Sequence, residues 1–152
     1  MTTEQTALLR NEFVHWLSIA PWDFFLTLNL NRESTYVAGR THFKNFCQRL
    51  DRKTVGPRYW NRSEKRAVII ALPEHMDTNF HLHCLVNFRL NNRVSRRSAE
   101  GHFESSWNEV IASGSTHLSR IPEKYTLARY VTKELSRKSH YEKVILSSEF
   151  WP

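Results

Sequence analysis

His81-Leu82-His83 sets two imidazoles two residues apart inside the apolar run from Phe80 to Phe88. On an extended strand, successive side chains point to opposite faces. Both imidazoles therefore share one face, while Leu82, Cys84 and Val86 share the other. Neutral imidazoles paired on a rigid strand are half of a site for a divalent first-row cation. Eight histidines in the chain make one such triplet weak by itself, so the question is what else stands near it. Three upstream side chains could supply a third ligand: Glu74, seven residues before His81, His75 beside it, and Asp77.

A second group lies near the C-terminal end. At about 100° per residue of helix, Leu127, Val131 and Leu135 form an apolar stripe. Tyr130 sits at its edge, with Lys133 and Arg137 beyond it on the same side. A tyrosine at the boundary of core and water can reach a neighbouring sheet while its hydroxyl stays wet. Lys133, one turn on, can lower the cost of a phenolate or hold a phosphate. Tyr125 precedes Tyr130 by five residues and points away from it, which leaves one nucleophile.

The elements that must position these groups follow from periodicity. An amphipathic helix is predicted from about Thr3 to Ser18, with Leu8, Phe13, Trp16 and Leu17 inward; it reads as packing, without chemistry of its own. Phe24 to Leu30 is a first strand, and Thr35 to Leu50 a helix burying Val37, Phe43, Phe46, Cys47 and Leu50. Arg58-Tyr59-Trp60-Asn61-Arg62 interleaves cations and rings, able either to stack on a single strand or to fold back on the core. Arg66 to Leu72 is a β-branched strand, and Pro73 to Asn79 a turn leading antiparallel into the histidine strand. After a basic linker, Arg89 to Arg97, a helix runs from Ser98 to about Ile111, then a strand from Thr116 to Ile121. A long last helix begins at Pro122-Glu123 and continues to about Lys138, and Val144-Ile145-Leu146 can add an edge strand. The expectation is one α+β domain, an antiparallel sheet covered by helices, with residues 1–20 as a helical extension of a domain spanning 21–152.

Composition narrows the function classes. The net charge of +7 favours phosphate backbones, and 12% aromatic residues favour stacking on unpaired bases. Cys47 and Cys84 have neither zinc-site spacing nor the density of a secreted disulfide scaffold. No apolar run is long enough to span a bilayer, and Met1-Thr2-Thr3-Glu4-Gln5 lacks the features of a signal peptide. A cytoplasmic protein with no membrane partner is expected.

In order, then, the chain carries the strand Phe25-Leu26-Thr27-Leu28-Asn29, the His-Leu-His strand, and Tyr-x-x-Lys within Ala128–Leu135. Together these resemble the HUH endonuclease superfamily, specifically the single-tyrosine initiators of rolling-circle replication. The resemblance covers roughly Phe24 to Lys138. It implies a five-stranded antiparallel, RRM-like sheet with both histidines on a central strand. By residue, His81 and His83 match the metal-binding histidines, Glu74 the acidic third ligand, Tyr130 the nucleophile and Lys133 the lysine of its motif. The implied cofactor is Mg²⁺ or Mn²⁺. The implied partner is single-stranded DNA at a replication origin, free or displayed in a hairpin, with a separate helicase and host polymerase, since no Gly-Lys-Ser/Thr phosphate loop is present. Arg40, Lys44, Arg58, Tyr59, Trp60, Arg66, Arg129 and Arg137 are the side chains expected to bind the strand. Three other readings stand beside this one. They are a non-catalytic RRM-like nucleic-acid module, a single-tyrosine transposase with the same chemistry, and a two-histidine phosphoesterase using His117-Leu118-Ser119. The last lacks a second motif of its kind.

Overall fold

The computed structural model describes residues 2–89, 94–121 and 123–152. Phe24–Asn29 (β1), Val68–Glu74 (β2), His81–Asn87 (β3), Ser115–Ser119 (β4) and Ile145–Leu146 (β5) form one five-stranded sheet in the order β4-β1-β3-β2-β5. Every pairing is antiparallel, and β3 is central. The α+β architecture is the expected one, including the small edge strand near the C-terminus. Alternation along the strands divides their side chains between two cores. Leu26, Leu28, Ile69, Ala71, Leu82, Cys84 and Val86 pack on one face, against Phe43, Phe46 and Leu50 of Tyr36–Thr54 (α2) and Phe103 and Trp107 of Arg96–Val110 (α3). Phe25, Ile70, Leu72 and Leu85 pack on the other, against Val14 and Leu17 of Thr3–Ile19 (α1) and Leu127, Ala128 and Val131 of Lys124–Val131 (α4). His81 and His83 alternate with Leu82 and so emerge on the α1–α4 face.

Several expectations need correcting. The last helix stops at Val131, not Lys138, and a short separate helix, Lys138–Tyr141 (α5), follows a turn. Thr132 accounts for the break: its buried hydroxyl donates to the carbonyls of Ala128 (2.7 Å) and Arg129 (3.3 Å), competing with the helical ladder. The carboxylate of Glu123 caps α4, accepting from the N–H groups of Tyr125 (2.8 Å) and Thr126 (2.9 Å). Pro122 and linker residues 90–93 lie outside the described residues, and Arg96 and Arg97 already belong to α3. The second strand continues through Pro73 to Glu74. Because β5 pairs only with Ile70 and Ala71, β2 is an edge strand at Pro73, the setting in which a strand accepts proline. Leu8, Trp16 and Val37 are exposed, not inward; Val14 takes the buried position on α1.

Arg66 is also not a surface cation. Its Nε donates to Asp51 Oδ2 at 2.8 Å, and both side chains are buried. The rings of Tyr59 and Trp151 flank its guanidinium at 5.1 and 5.0 Å. Asp51 Oδ1 also accepts from the N–H of Ala67, tying α2 to the segment entering β2. Burial pushes the Asp51 carboxyl up from its ordinary pKa, opposed by the bond and charge of Arg66. Removing one partner strands the other's charge. Asp51→Leu should cost about 3–5 kcal/mol in urea denaturation, and adding Arg66→Met should recover most of it; equal losses in the two variants would contradict the pairing.

Candidate metal and nucleophile site

The register of β2 against β3 builds the centre. Glu74 lies directly opposite His81, and Leu72 opposite His83, so the carboxylate and both imidazoles share one face. Glu74 Oε2 is 3.6 Å from His81 Nε2 and in close contact with His83 Nε2. One ligand atom from each of Glu74, His81 and His83 lies within 4.8 Å of the others. This is a buried Glu/His/His group able to hold a metal ion: the Glu74 side chain is 4% exposed, His83 7% and His81 12%.

Hydrogen bonding decides which nitrogens are free. His81 Nδ1 stands 2.9 Å from the carbonyl oxygen of Asn79, which only accepts, so Nδ1 carries the proton and Nε2 of the neutral ring keeps its lone pair. His83 Nδ1 is 3.2 Å from Thr27 Oγ1, while its buried Nε2 meets the Glu74 carboxylate and no other polar group among the described residues. Nδ1–H donating to Thr27 is the arrangement that frees Nε2. Burial pushes the His83 pKa down to about 4 despite the opposing charge of Glu74, so this imidazole is neutral at neutral pH. Burial would raise the Glu74 pKa, but the carboxyl lies below its ordinary value, with the hydrogen bond and charge of Lys133 acting against burial. An ionised carboxylate thus lies against both imidazole Nε2 atoms, and two imidazoles with one carboxylate are a donor set that fits a divalent cation there.

Tyr130 and Lys133 meet the same centre. The Tyr130 ring, half exposed on α4, lies 5.6 Å from the His83 ring and 6.2 Å from Phe25. Lys133 Nζ sits 4.2 Å over the Tyr130 ring and 2.9 Å from Glu74 Oε1. Lys133 gets there from the turn after α4, not from the helix. Its pKa is raised, chiefly by the bond to Glu74, so it stays a cation. Glu74 therefore divides its oxygens, Oε2 toward the imidazoles and Oε1 toward the ammonium.

Among the third-ligand candidates, Glu74 alone joins both histidines. The His75 ring lies on the Oε1 side, 3.5 Å from Glu74 and 3.5 Å from Glu134. Its backbone is left-handed (φ 51°), and its N–H donates to Glu134 Oε2 at 3.2 Å. Glu74, His75 and Glu134 make a second compact group, whose Glu74 oxygen Lys133 already engages; Asp77 belongs to neither. Glu134 carries no signal in the sequence beyond its place four residues after Tyr130, on the same side of a helix.

The sequence also gave no hint of an open half-face. On the site side of the sheet, β4 and β1 present Ser115 beside Asn29 and His117 beside Thr27, the latter in one row with His83. Ser115 and His117 are exposed. Strand order creates this row, and no local pattern in Ser115–Ser119 announces it.

The expected DNA-binding side chains are dispersed. Arg129, next to Tyr130, and Arg137 lie on the site side. Arg40 and Lys44 belong to α2, across the sheet, where Arg40 pairs with Glu149 at 3.5 Å. Arg58, Tyr59 and Trp60 lie near the start of β2, whose other end carries Glu74, a strand length of about 20 Å away. Arg66 is buried. No protein-family model, curated protein or solved structure matches this chain.

Calorimetric titration with Mn²⁺ checks the ligand assignment. His81→Ala, His83→Ala and Glu74→Ala should each abolish measurable binding, and Thr27→Val should weaken it about 10–100-fold by loosening His83. His75→Ala should leave it within a few-fold. Undiminished binding by Glu74→Ala would contradict the assignment.

Proposed function

We propose that this protein is a metal-dependent endonuclease and strand transferase for single-stranded DNA, of the HUH single-tyrosine kind, acting at the origin of a replicon. The observation that carries the reading is the meeting of a half-exposed tyrosine, a lysine and a buried Glu/His/His group, drawn from α4, the turn after it, β2 and β3.

The chemistry follows from the residue types. Bound by Glu74, His81 and His83, Mg²⁺ or Mn²⁺ would polarise a phosphoryl oxygen as a Lewis acid. Tyr130 Oη attacks the scissile phosphorus, its proton passing to solvent; the new Tyr–O–P bond replaces the P–O3′ bond, and the departing 3′ oxygen takes up a proton. The product is a 5′-phosphotyrosine with a free 3′-hydroxyl, and the retained bond energy lets a 3′-hydroxyl reverse the step and join strands. Lys133, held by Glu74 beside the Tyr130 ring, would stabilise the charge growing on the phosphoryl group. The bare polar half-face of β1 and β4 gives the substrate strand a place to lie, and the net charge of +7 supports binding of a polyanion. Unwinding and copying would fall to a separate helicase and polymerase. A transposase of this class would use the same steps.

Labelled single-stranded DNA incubated with Mn²⁺ and resolved on a denaturing gel tests the proposal. The native chain should give a protein–DNA adduct. Tyr130→Phe should give none while still binding DNA, His81→Ala and His83→Ala should abolish cleavage, and Lys133→Ala should slow it less than Tyr130→Phe does. Cleavage by Tyr130→Phe at the native rate would overturn the proposal, and binding without cleavage by the native chain under any divalent cation would favour a non-catalytic module.

A further inference from the structure

The N-terminal helix carries more than packing. Between α1 and the segment after the Lys133 turn lies an open cleft of about 700 Å³. Arg10, from α1, and Arg137, from the other side, both line it, together with Thr3, Thr6, Ser139 and the buried Leu135. No carboxylate lines it. Among the described residues, neither Arg10 nor Arg137 forms an ion pair, whereas Arg40, Arg49 and Arg66 each do. Two guanidiniums without ion-pair partners, lining one cleft with hydroxyl-bearing residues and no carboxylate, are donors of the kind that suits phosphate oxygens.

We infer that this cleft binds the phosphodiester backbone of the DNA strand beyond the cleavage site, with Arg10 and Arg137 as its two phosphate contacts. The volume exceeds that of one phosphate and admits a nucleotide. Position favours the strand over a free ligand: Leu135 and Arg137 follow Lys133 by two and four residues, and α1 packs along α4, which carries Tyr130. The inference rests on the nuclease reading for the identity of the polyanion, but binding in this cleft needs neither the metal group nor Tyr130.

The test is the salt dependence of binding, measured by fluorescence anisotropy with a labelled random-sequence single-stranded oligonucleotide in EDTA, where no cleavage occurs. Each single-strand phosphate contact contributes about 0.7 to the slope of log K against log[salt]. Arg10→Ala and Arg137→Ala should each reduce the slope by about that amount, the double variant by about twice it, and Arg10→Lys should restore most of the loss. An unchanged slope in Arg10→Ala would overturn the inference. If Arg10→Ala unfolds, Arg10→Gln together with Arg137→Ala alone decides the matter by the same criterion. A deoxynucleoside monophosphate arm separates the sources: thermal stabilisation by the mononucleotide that is lost in Arg10→Ala, with the oligonucleotide slope unaltered, would assign the cleft to a free nucleotide and overturn the strand proposal. Nicking and slope are separable readouts. A reduced slope in a chain that never nicks would leave this inference standing and sink the nuclease reading, and the converse result would do the reverse.

Discussion

The pairing of Glu74 opposite His81 at the end of the β2–β3 hairpin is the constraint on which the site depends. A slip of one residue would turn Glu74 to the other face and send Leu72 and Ile70 out of their core. The apolar residues thus lock the register that the chemistry uses. The same pairing buries a carboxylate, and a buried charge must be compensated. Lys133 compensates one oxygen; the other is left facing imidazole nitrogens, which is an invitation to a cation.

The interruption of the last helix makes sense in that light. On a continuing helix Lys133 and Glu134 would stay on the side of Tyr130, three and four residues further on. The turn lets both approach the hairpin, Lys133 to Glu74 and Glu134 to His75. The sheet is divided along the same lines. Its β2–β3 half is covered by α1 and α4, its β1–β4 half is polar at Thr27, Asn29, Ser115 and His117 beyond the buried Phe25, and the far end of β2 is anchored by the buried Arg66–Asp51 pair. Rigidity at one end and access at the other are what a site must have if it is to hold geometry while admitting a strand.

Much of this was legible in the sequence, for physical reasons. Alternation in Phe25–Asn29 and His81–Asn87 announces strands, the short connection between β2 and β3 forces an antiparallel pair, and residue type marks Glu74, His81, His83, Tyr130 and Lys133. What was not legible depends on tertiary choice. Thr132 looks like any helical threonine until its hydroxyl is buried. Arg66 looks like a surface cation until Asp51, fifteen residues earlier, is found beside it. His117 reaches the site row only through strand order, and Arg10 acquires a partner only when α1 is laid beside Arg137. The α1 stripe was misread because Leu8 and Trp16 have helical spacing but face water.

The central claim is that Tyr130 attacks a phosphodiester beside the Glu74–His81–His83 group. The most direct measurement is mass spectrometry of tryptic peptides after the native chain has been incubated with a randomised single-stranded DNA pool and Mn²⁺, then treated with nuclease. Cleavage after Arg129 and Lys133 isolates Tyr130-Val131-Thr132-Lys133. That peptide should carry a 5′-linked deoxynucleotide phosphate, and EDTA should abolish it. A nucleotide on Tyr125, or no modified peptide with any of Mg²⁺, Mn²⁺, Co²⁺ or Zn²⁺, would contradict the account.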